Sequence, residues 1–291
     1  MKKIEGGVTA AKGFEAAGVE ASIKYQNRKD MAMIFSKLPC VTAGTFTSNV
    51  VKAACVLWDK NIVDSNTQTH AVVINSGIAN ACTGKQGFDA CKKTSKAVEE
   101  MLNVPANSVL VASTGVIGMQ LPVDKIVNGV KKLSNELKDT KEAANMAAQA
   151  IMTTDTISKE VAVTFEINDK TVTIGGMSKG SGMIHPNMCT MLGFVTTDLD
   201  ISKELLQEAL SENVKDTFNM ISVDGDTSTN DTLILMANGA AGNTKITEKD
   251  ENYNKFKEAL NEINKTLAMM MAGDGEGATA LFETKVIGAK T

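Results

Sequence analysis

The sequence predicts a mixed α/β fold of layered sheets and helices, and three observations carry that expectation. Apolar and β-branched runs bounded by Gly, Asn and Asp recur through the first 75 residues and again between 160 and 197. Apolar residues take helical spacing instead in five stretches, 87–102, 122–137, 141–152, 203–219 and 248–271. Finally, a loop crowded with Gly, Ser and Met around Lys179 empties into a strand-like run at Cys189-Thr190. Sheets and helices that interleave in this way pack as layers.

Each element has its own justification. The chain opens on turns at Gly6-Gly7 and Gly13-Phe14, followed by a buried strand at 31–35. Residues 43–49 read as a loop entering a strand at Val50-Val51, and 70–75 is a further β run that stops at Asn75-Ser76-Gly77. From Gly87 the period becomes helical, with Phe88, Cys91, Val98, Met101 and Leu102 on one face. Residues 108–113 return as a strand that ends at Thr114-Gly115. Pro122 opens the next helix, a favoured place for proline, and an Ala-rich helix follows near 141–152. Runs 160–167 and 171–174 around Asn168-Asp169-Lys170 read as a β-hairpin. Ser202 caps a helix to about 219, and 220–223 and 232–237 are strand-like around a polar turn. A helix near 248–271 ends at Gly273-Asp274-Gly275-Glu276-Gly277, and residues 279–287 are expected to close the chain as a strand.

Composition narrows the function. With 291 residues, 43% hydrophobic, 22% charged and net charge −4, the chain can bury a sizeable core. Its mildly acidic balance offers no electrostatic case for nucleic acid or an anionic membrane as partner. The start Met1-Lys2-Lys3-Ile4 lacks the apolar core of a secretory signal, and no apolar run reaches a membrane span. Five scattered cysteines without a CxxC pair, beside only His70 and His185, argue against zinc and for reduced thiols in the cytoplasm.

Several motifs fail on inspection. Gly176-Met177-Ser178-Lys179-Gly180 matches a nucleophile elbow, but no helix follows and no later His completes a triad. Asp224-Gly225-Asp226 lacks the Gly and Glu of a calcium loop, so an ordinary polar turn is expected. The glycines at 176, 180 and 182 complete neither a dinucleotide nor a phosphate loop. Cys189 beside His185 is not in the order or placement of a Cys–His dyad.

Thr190 supports two readings. Alone, a Thr opening a strand is an ordinary strand former. If the chain is cut before it, however, its own α-amino group becomes the base that activates its hydroxyl. That amine titrates near ~7.7–8.0, against ~10.4 for a Lys amine, so a useful fraction is unprotonated at neutral pH. Before the cut, the same hydroxyl can attack the Cys189 carbonyl and form an ester that hydrolyses. Thr114-Gly115 reads either as a plain turn or as donors aimed at an oxyanion. Glu276, between two glycines, either faces a ligand amine or is simply solvated.

Seven segments in one order carry a resemblance: GGVTAAKGFEAAGV (6–19), AGTFTSNVVKAA (43–54), NSGIANACTG (75–84), ASTGVIG (112–118), IMTTDT (151–156), KGSGMIHPNMCTML (179–192) and GDGEGAT (273–279). Together they resemble the ornithine acetyltransferases, also called glutamate N-acetyltransferases, along the whole chain. The resemblance implies an α-β-β-α sandwich of the N-terminal-nucleophile kind. It implies self-cleavage between Cys189 and Thr190 into an α chain, 1–189, and a β chain, 190–291, assembled as two of each. It makes Thr190 the nucleophile, places the oxyanion pair on Thr114 and Gly115, and assigns substrate contacts to Thr153, Lys179, Thr190 and Glu276. The implied reaction is ping-pong: N-acetylornithine acetylates Thr190, ornithine leaves, and glutamate takes the acetyl group, within arginine biosynthesis in the cytoplasm. Some members also accept acetyl-CoA, and no cofactor or metal is implied.

Cys189 and His185 both stand where the family usually has Ala. Cys is small, so cleavage is still expected. The family continues beyond the position of Thr291 into a segment with an Asn and a Ser or Thr that bind substrate, and those residues are expected to be lacking here. Two other functions compete with the transferase. An N-terminal-threonine amidase or aminopeptidase would use water as acceptor, and a small-molecule binding protein would leave Thr190 as a strand residue only.

Overall fold

The computed structural model describes residues 1–65, 67–184 and 191–288. In chain order the strands are β1 (Lys2–Ile4), β2 (Phe14–Val19), β3 (Met31–Phe46), β4 (Thr69–Asn75), β5 (Val109–Ser113), β6 (Lys159–Ile167), β7 (Lys170–Lys179), β8 (Leu192–Thr197) and β9 (Thr232–Ala237). The helices are α1 (Ala54–Asp64), α2 (Gly84–Leu102), α3 (Val123–Glu136), α4 (Lys141–Ala150), α5 (Lys203–Asn213) and α6 (Glu251–Gly273).

The strands form two sheets that share β3. Its first half pairs antiparallel with β2 on one side and β4 on the other, and β5 joins β4 in parallel. Its second half pairs with β9, continuing the order β1-β6-β7-β8-β9-β3. The register shifts between Phe35 and Cys40, where Lys37, Leu38 and Pro39 are exposed. Pro39 has no N–H to offer a ladder, so an irregular, solvated bend is where a strand tolerates it. That bend carries one strand from sheet to sheet.

Side-chain alternation shows the layers. Leu233, Leu235 and Ala237 of β9 join one core with residues of α5 and α6, while Ile234 and Met236 face a second core. Val72 and Ile74 of β4 enter that second core with the alanines of α4, and Ala71 and Val73 face a third with α2 and α3. Three cores separated by two sheets make an α-β-β-α sandwich, as the resemblance implied. Strands buried on both faces lose the polar–apolar alternation of half-exposed ones. Each fully buried Leu, Ile or Phe stabilises by roughly 1.5–3 kcal/mol.

Local signals explain most elements. The hairpin of β6 and β7 turns on Asn168-Asp169, with Asn168 at φ 55°. Ser202 caps α5 through Leu205 N and Asp250 caps α6 through Tyr253 N at 2.9 Å. Other expectations are corrected. Residues 43–46 belong to β3 and pair with β9, whereas Val50 and Val51 stand exposed at a bend. The helix α1, with Cys55, Val56, Ile62 and Val63 buried, was not foreseen in the β-branched reading of this region. Residues 175–179 extend β7 instead of starting the loop, because both neighbouring strands offer ladder partners. Helix α5 stops at Asn213, followed by short 3₁₀ turns. Neither 220–223 nor 279–287 is a strand; Phe282, Val286 and Ile287 are exposed, and β propensity without a partner strand does not make a ladder. No helix among the described residues is long and apolar enough to cross a membrane.

Candidate active site

The turn after β5 closes against the segment after β4. Thr114 N donates to Asn75 O at 3.0 Å, Val116 N to Gly77 O at 3.1 Å and Ala79 N to Val116 O at 2.9 Å. Gly115 has φ +130°, and a Cβ there would lie 2.2 Å from Gly77 C. Only glycine allows that approach. Thr114 is almost buried, yet its Oγ1 and the Gly115 N–H donate to no group among the described residues. A hydroxyl and an amide left free side by side at a cavity wall are what an oxyanion needs.

Opposite the turn, four charges are packed into a buried cluster. Lys159 is fully buried, its Nζ 2.9 Å from Asp155 Oδ1 and 2.6 Å from Asp274 Oδ2. Lys179, at the end of β7, lies 3.7 Å from Asp155 Oδ2 and donates to Thr153 Oγ1 at 2.7 Å. Burial, and after it the neighbouring Lys159, push the Lys179 amine down, and Asp155 only partly offsets them. Burial works to raise the Asp155 carboxyl, but Lys179, Lys159 and the Gly180 N–H outweigh it and hold the group below the usual range. The two lysines and two aspartates balance in charge and fasten three segments together: 153–159, the end of β7, and the turn after α6.

That last turn carries Glu276. Asp274 accepts from Lys159 and from Thr156, which pins the glycine-rich turn. Glu276 N then donates to Ser181 O at 2.5 Å. The Glu276 side chain is exposed and its carboxylate has no hydrogen-bond or ion-pair partner among the described residues.

Thr114, Gly115, Thr153, Lys179 and Glu276 all line one cavity of about 610 Å³. Five residues from four separate parts of the sequence are thereby brought together. Lys24, Arg28, Asp30 and Asp224 complete its charged lining; the first three were not singled out from sequence, and Asp224 was read only as part of a polar turn. Asp224 accepts from Ile184 N at 2.8 Å and from Met183 N, so it serves as the polar turn expected there. Thr190, Cys189 and His185 lie outside the described residues. On either side of them the chain is anchored: Lys179 pairs with Leu192 across β7 and β8, and Met191 N donates to Asp231 Oδ1 at 3.0 Å.

Sequence reasoning also missed Asp155, Lys159, Asp274 and Asp231. Two of them sit inside the motifs IMTTDT and GDGEGAT, so the signal was present, but a charged residue in a loop gives no sign of burial.

Comparison with known proteins matches this arrangement to one family. The model of the ArgJ family matches residues 15–291. The arginine biosynthesis bifunctional protein ArgJ 1 of Clostridium acetobutylicum is 50% identical over 284 residues, covering 98% of this chain and 69% of its own length. The crystal structure of the arginine biosynthesis bifunctional protein ArgJ of Bacillus halodurans is 42% identical with a TM-score of 0.61, over 65% of this chain and 97% of that one. The ornithine acetyltransferase of Mycobacterium tuberculosis, solved with ornithine, is 39% identical with a TM-score of 0.58 over the same shares. The L-aminopeptidase D-Ala-esterase/amidase of Ochrobactrum anthropi, a variant of the Ntn hydrolase fold, is 12% identical with a TM-score of 0.56, over 96% of this chain and 90% of that one, and shows the fold alone. By family match, identity and fold together, this chain belongs to the ArgJ family and is an acyltransferase of the ornithine acetyltransferase kind.

Proposed function

We propose that the chain cuts itself between Cys189 and Thr190 and that Thr190 then relays an acetyl group from N-acetylornithine to glutamate. Thr190 is the nucleophile, with its freed α-amine as base. Thr114 Oγ1 and Gly115 N–H receive the oxyanion. Lys179, oriented with Thr153, takes a substrate carboxylate, and Glu276 takes a substrate amine. Ornithine and glutamate both carry these two handles, so one site serves both half-reactions in turn. Acetyl-CoA is a second donor in this reading, and the working assembly is two α chains (1–189) and two β chains that begin at Thr190, in the cytoplasm.

The observation that carries the proposal is the cavity itself. Unpaired oxyanion donors, a buried cation and a free carboxylate meet at the end of β7, two residues from where position 190 leads into β8. Chain length adds support. The two solved relatives each match 65% of this chain while being 97% covered themselves, so each is roughly as long as residues 1–189.

Intact mass is the test. Held at neutral pH, the protein should resolve into two fragments, the second beginning at Thr190. N-acetylornithine without glutamate should add about 42 Da, one acetyl, to that second fragment, and glutamate should discharge it as N-acetylglutamate. A chain that stays whole defeats the proposal. Discharge by water as fast as by glutamate would favour the amidase reading. No adduct, with intersecting initial-rate plots, would replace the relay by direct transfer.

A further inference from the structure

N-acetylornithine offers the cavity one free amine and one carboxylate, whereas glutamate brings one amine and two carboxylates. Lys179 and Glu276 answer the charges that the two molecules share and leave glutamate's second carboxylate unmatched. A desolvated charge without a partner is costly, so a cavity that takes both molecules needs a further cation within reach.

The lining holds two. Lys24 and Arg28 face the cavity from the loop between β2 and β3. Lys24 is exposed and Arg28 half-buried, and neither has a carboxylate partner among the described residues. Tyr25 lies between them, its ring centroid 4.7 Å from Lys24 Nζ and 5.7 Å from Arg28 Cζ. A hydrogen bond to Lys24, and then the charges of Lys24 and Arg28, hold the Tyr25 phenol below its usual range against burial. Two cations gathered on one ring repel each other, and an anion brought between them relieves that repulsion.

The loop is anchored where it stands. Asp30, buried at its end, accepts from Ala21 N at 2.7 Å through Oδ1 and from Ile23 N at 2.6 Å through Oδ2. Glu20 accepts from Asn27 N at 2.8 Å. Arg28 Nη2 donates to Met152 O at 2.7 Å, one residue before the Thr153 that accepts from Lys179. A Cβ on Gly77 would lie 3.2 Å from Lys24 Cβ, so Lys24 packs on the segment that Gly115 closes against. The carboxylates of the same lining are placed apart from this pair. Asp30 is occupied by the loop's own N–H groups, Asp224 by those of Met183 and Ile184, and Glu276 Oε2 lies over Gly182, 2.7 Å from where a Cβ would stand.

Resting on the proposed relay from N-acetylornithine to glutamate, we propose that Lys24 and Arg28 form the subsite for the second carboxylate of the acceptor and thereby set the preference for an acidic acceptor. Neither residue makes or breaks a covalent bond in this role.

Titration calorimetry on the whole chain with L-glutamate, L-glutamine and L-ornithine tests the subsite, because none of the three reacts without an acetyl donor. Wild type should bind glutamate about 10-fold more tightly than glutamine, its uncharged isostere. Lys24→Gln and Arg28→Gln should each remove most of that preference while changing ornithine affinity by less than about twofold, and Arg28→Lys, which keeps the charge, should retain more of it than Arg28→Gln. A wild type without the preference, or variants that weaken all three ligands alike, overturns the subsite. Coenzyme A is titrated alongside, since its phosphates are the other anions this reading offers; variants that lose coenzyme A affinity and keep the glutamate preference overturn the assignment to the acceptor. Acetylation of wild type by N-acetylornithine, read by intact mass, reports on the relay separately. An acetylated chain without the glutamate preference removes the subsite alone, and a chain with the preference that takes no acetyl removes the relay and keeps the carboxylate subsite.

Discussion

At Thr114 the backbone N–H is engaged by Asn75 O, and the hydroxyl is left without a partner among the described residues. Removing that hydroxyl therefore costs the fold little. In the proposed reaction it removes one of two oxyanion donors, a loss typically worth roughly 10²–10³ in kcat. Thr114→Ala should lower kcat by that order with an almost unchanged melting temperature, measured on the cut, active enzyme. An unchanged kcat would leave Gly115 N–H as the sole candidate donor. Thr114, Gly115, Lys179 and Glu276 were legible from the sequence because each sits in a short motif beside glycine or at a strand end, and Thr153 came from the motif IMTTDT of the resemblance. Lys159 was not, since nothing local distinguishes a lysine fully enclosed by two carboxylates from one in solvent.

Among elements, the turn after α6 depends on the far end of β6. Lys159 opens β6, and its bond to Asp274 joins residues 115 apart in sequence. Lys159→Met would leave Asp155 and Asp274 without their common cation in a buried place, which costs about 3–5 kcal/mol. The half-exposed pair Lys60–Asp64 is the contrast: breaking it should cost no more than about 0.5 kcal/mol. Denaturant midpoints of the two variants should separate accordingly, and equal midpoints would show that the Lys159 cluster contributes no more than a surface pair. Hairpins, caps and amphipathic helices were readable because their signals span only a few residues. The extension of β3 to Phe46, the helix α1 and the unpaired residues 279–287 were misread because propensity says nothing about which partner is available.

For the whole molecule, the aspartates act in opposite directions with pH. Asp155 and Asp274 are held below the usual carboxylate range: burial opposes this in both, but their lysines and hydrogen bonds prevail. Their stabilisation is present in full above an unfolded value of about 3.9 and is lost as pH falls through the lower folded values. Asp59 and Asp231, raised by burial, contribute the other sign and weaken the fold as pH rises through the range above about 3.9. Melting temperature should therefore fall below about pH 4, and Asp274→Asn should flatten that acid limb. An acid limb identical in wild type and Asp274→Asn would remove the cluster from the account.

Periodicity sufficed for the α/β class, and the resemblance carried by seven motifs in order implied the layered sandwich, the family and five residues of the cavity. Which strand spans both sheets, which lysine is enclosed by two aspartates and which carboxyl grips the peptide after position 190 were set only by the fold. The reason is range: backbone propensity and capping act over a few residues, whereas burial and charge pairing join residues that the chain keeps more than a hundred positions apart, as it does Lys159 and Asp274.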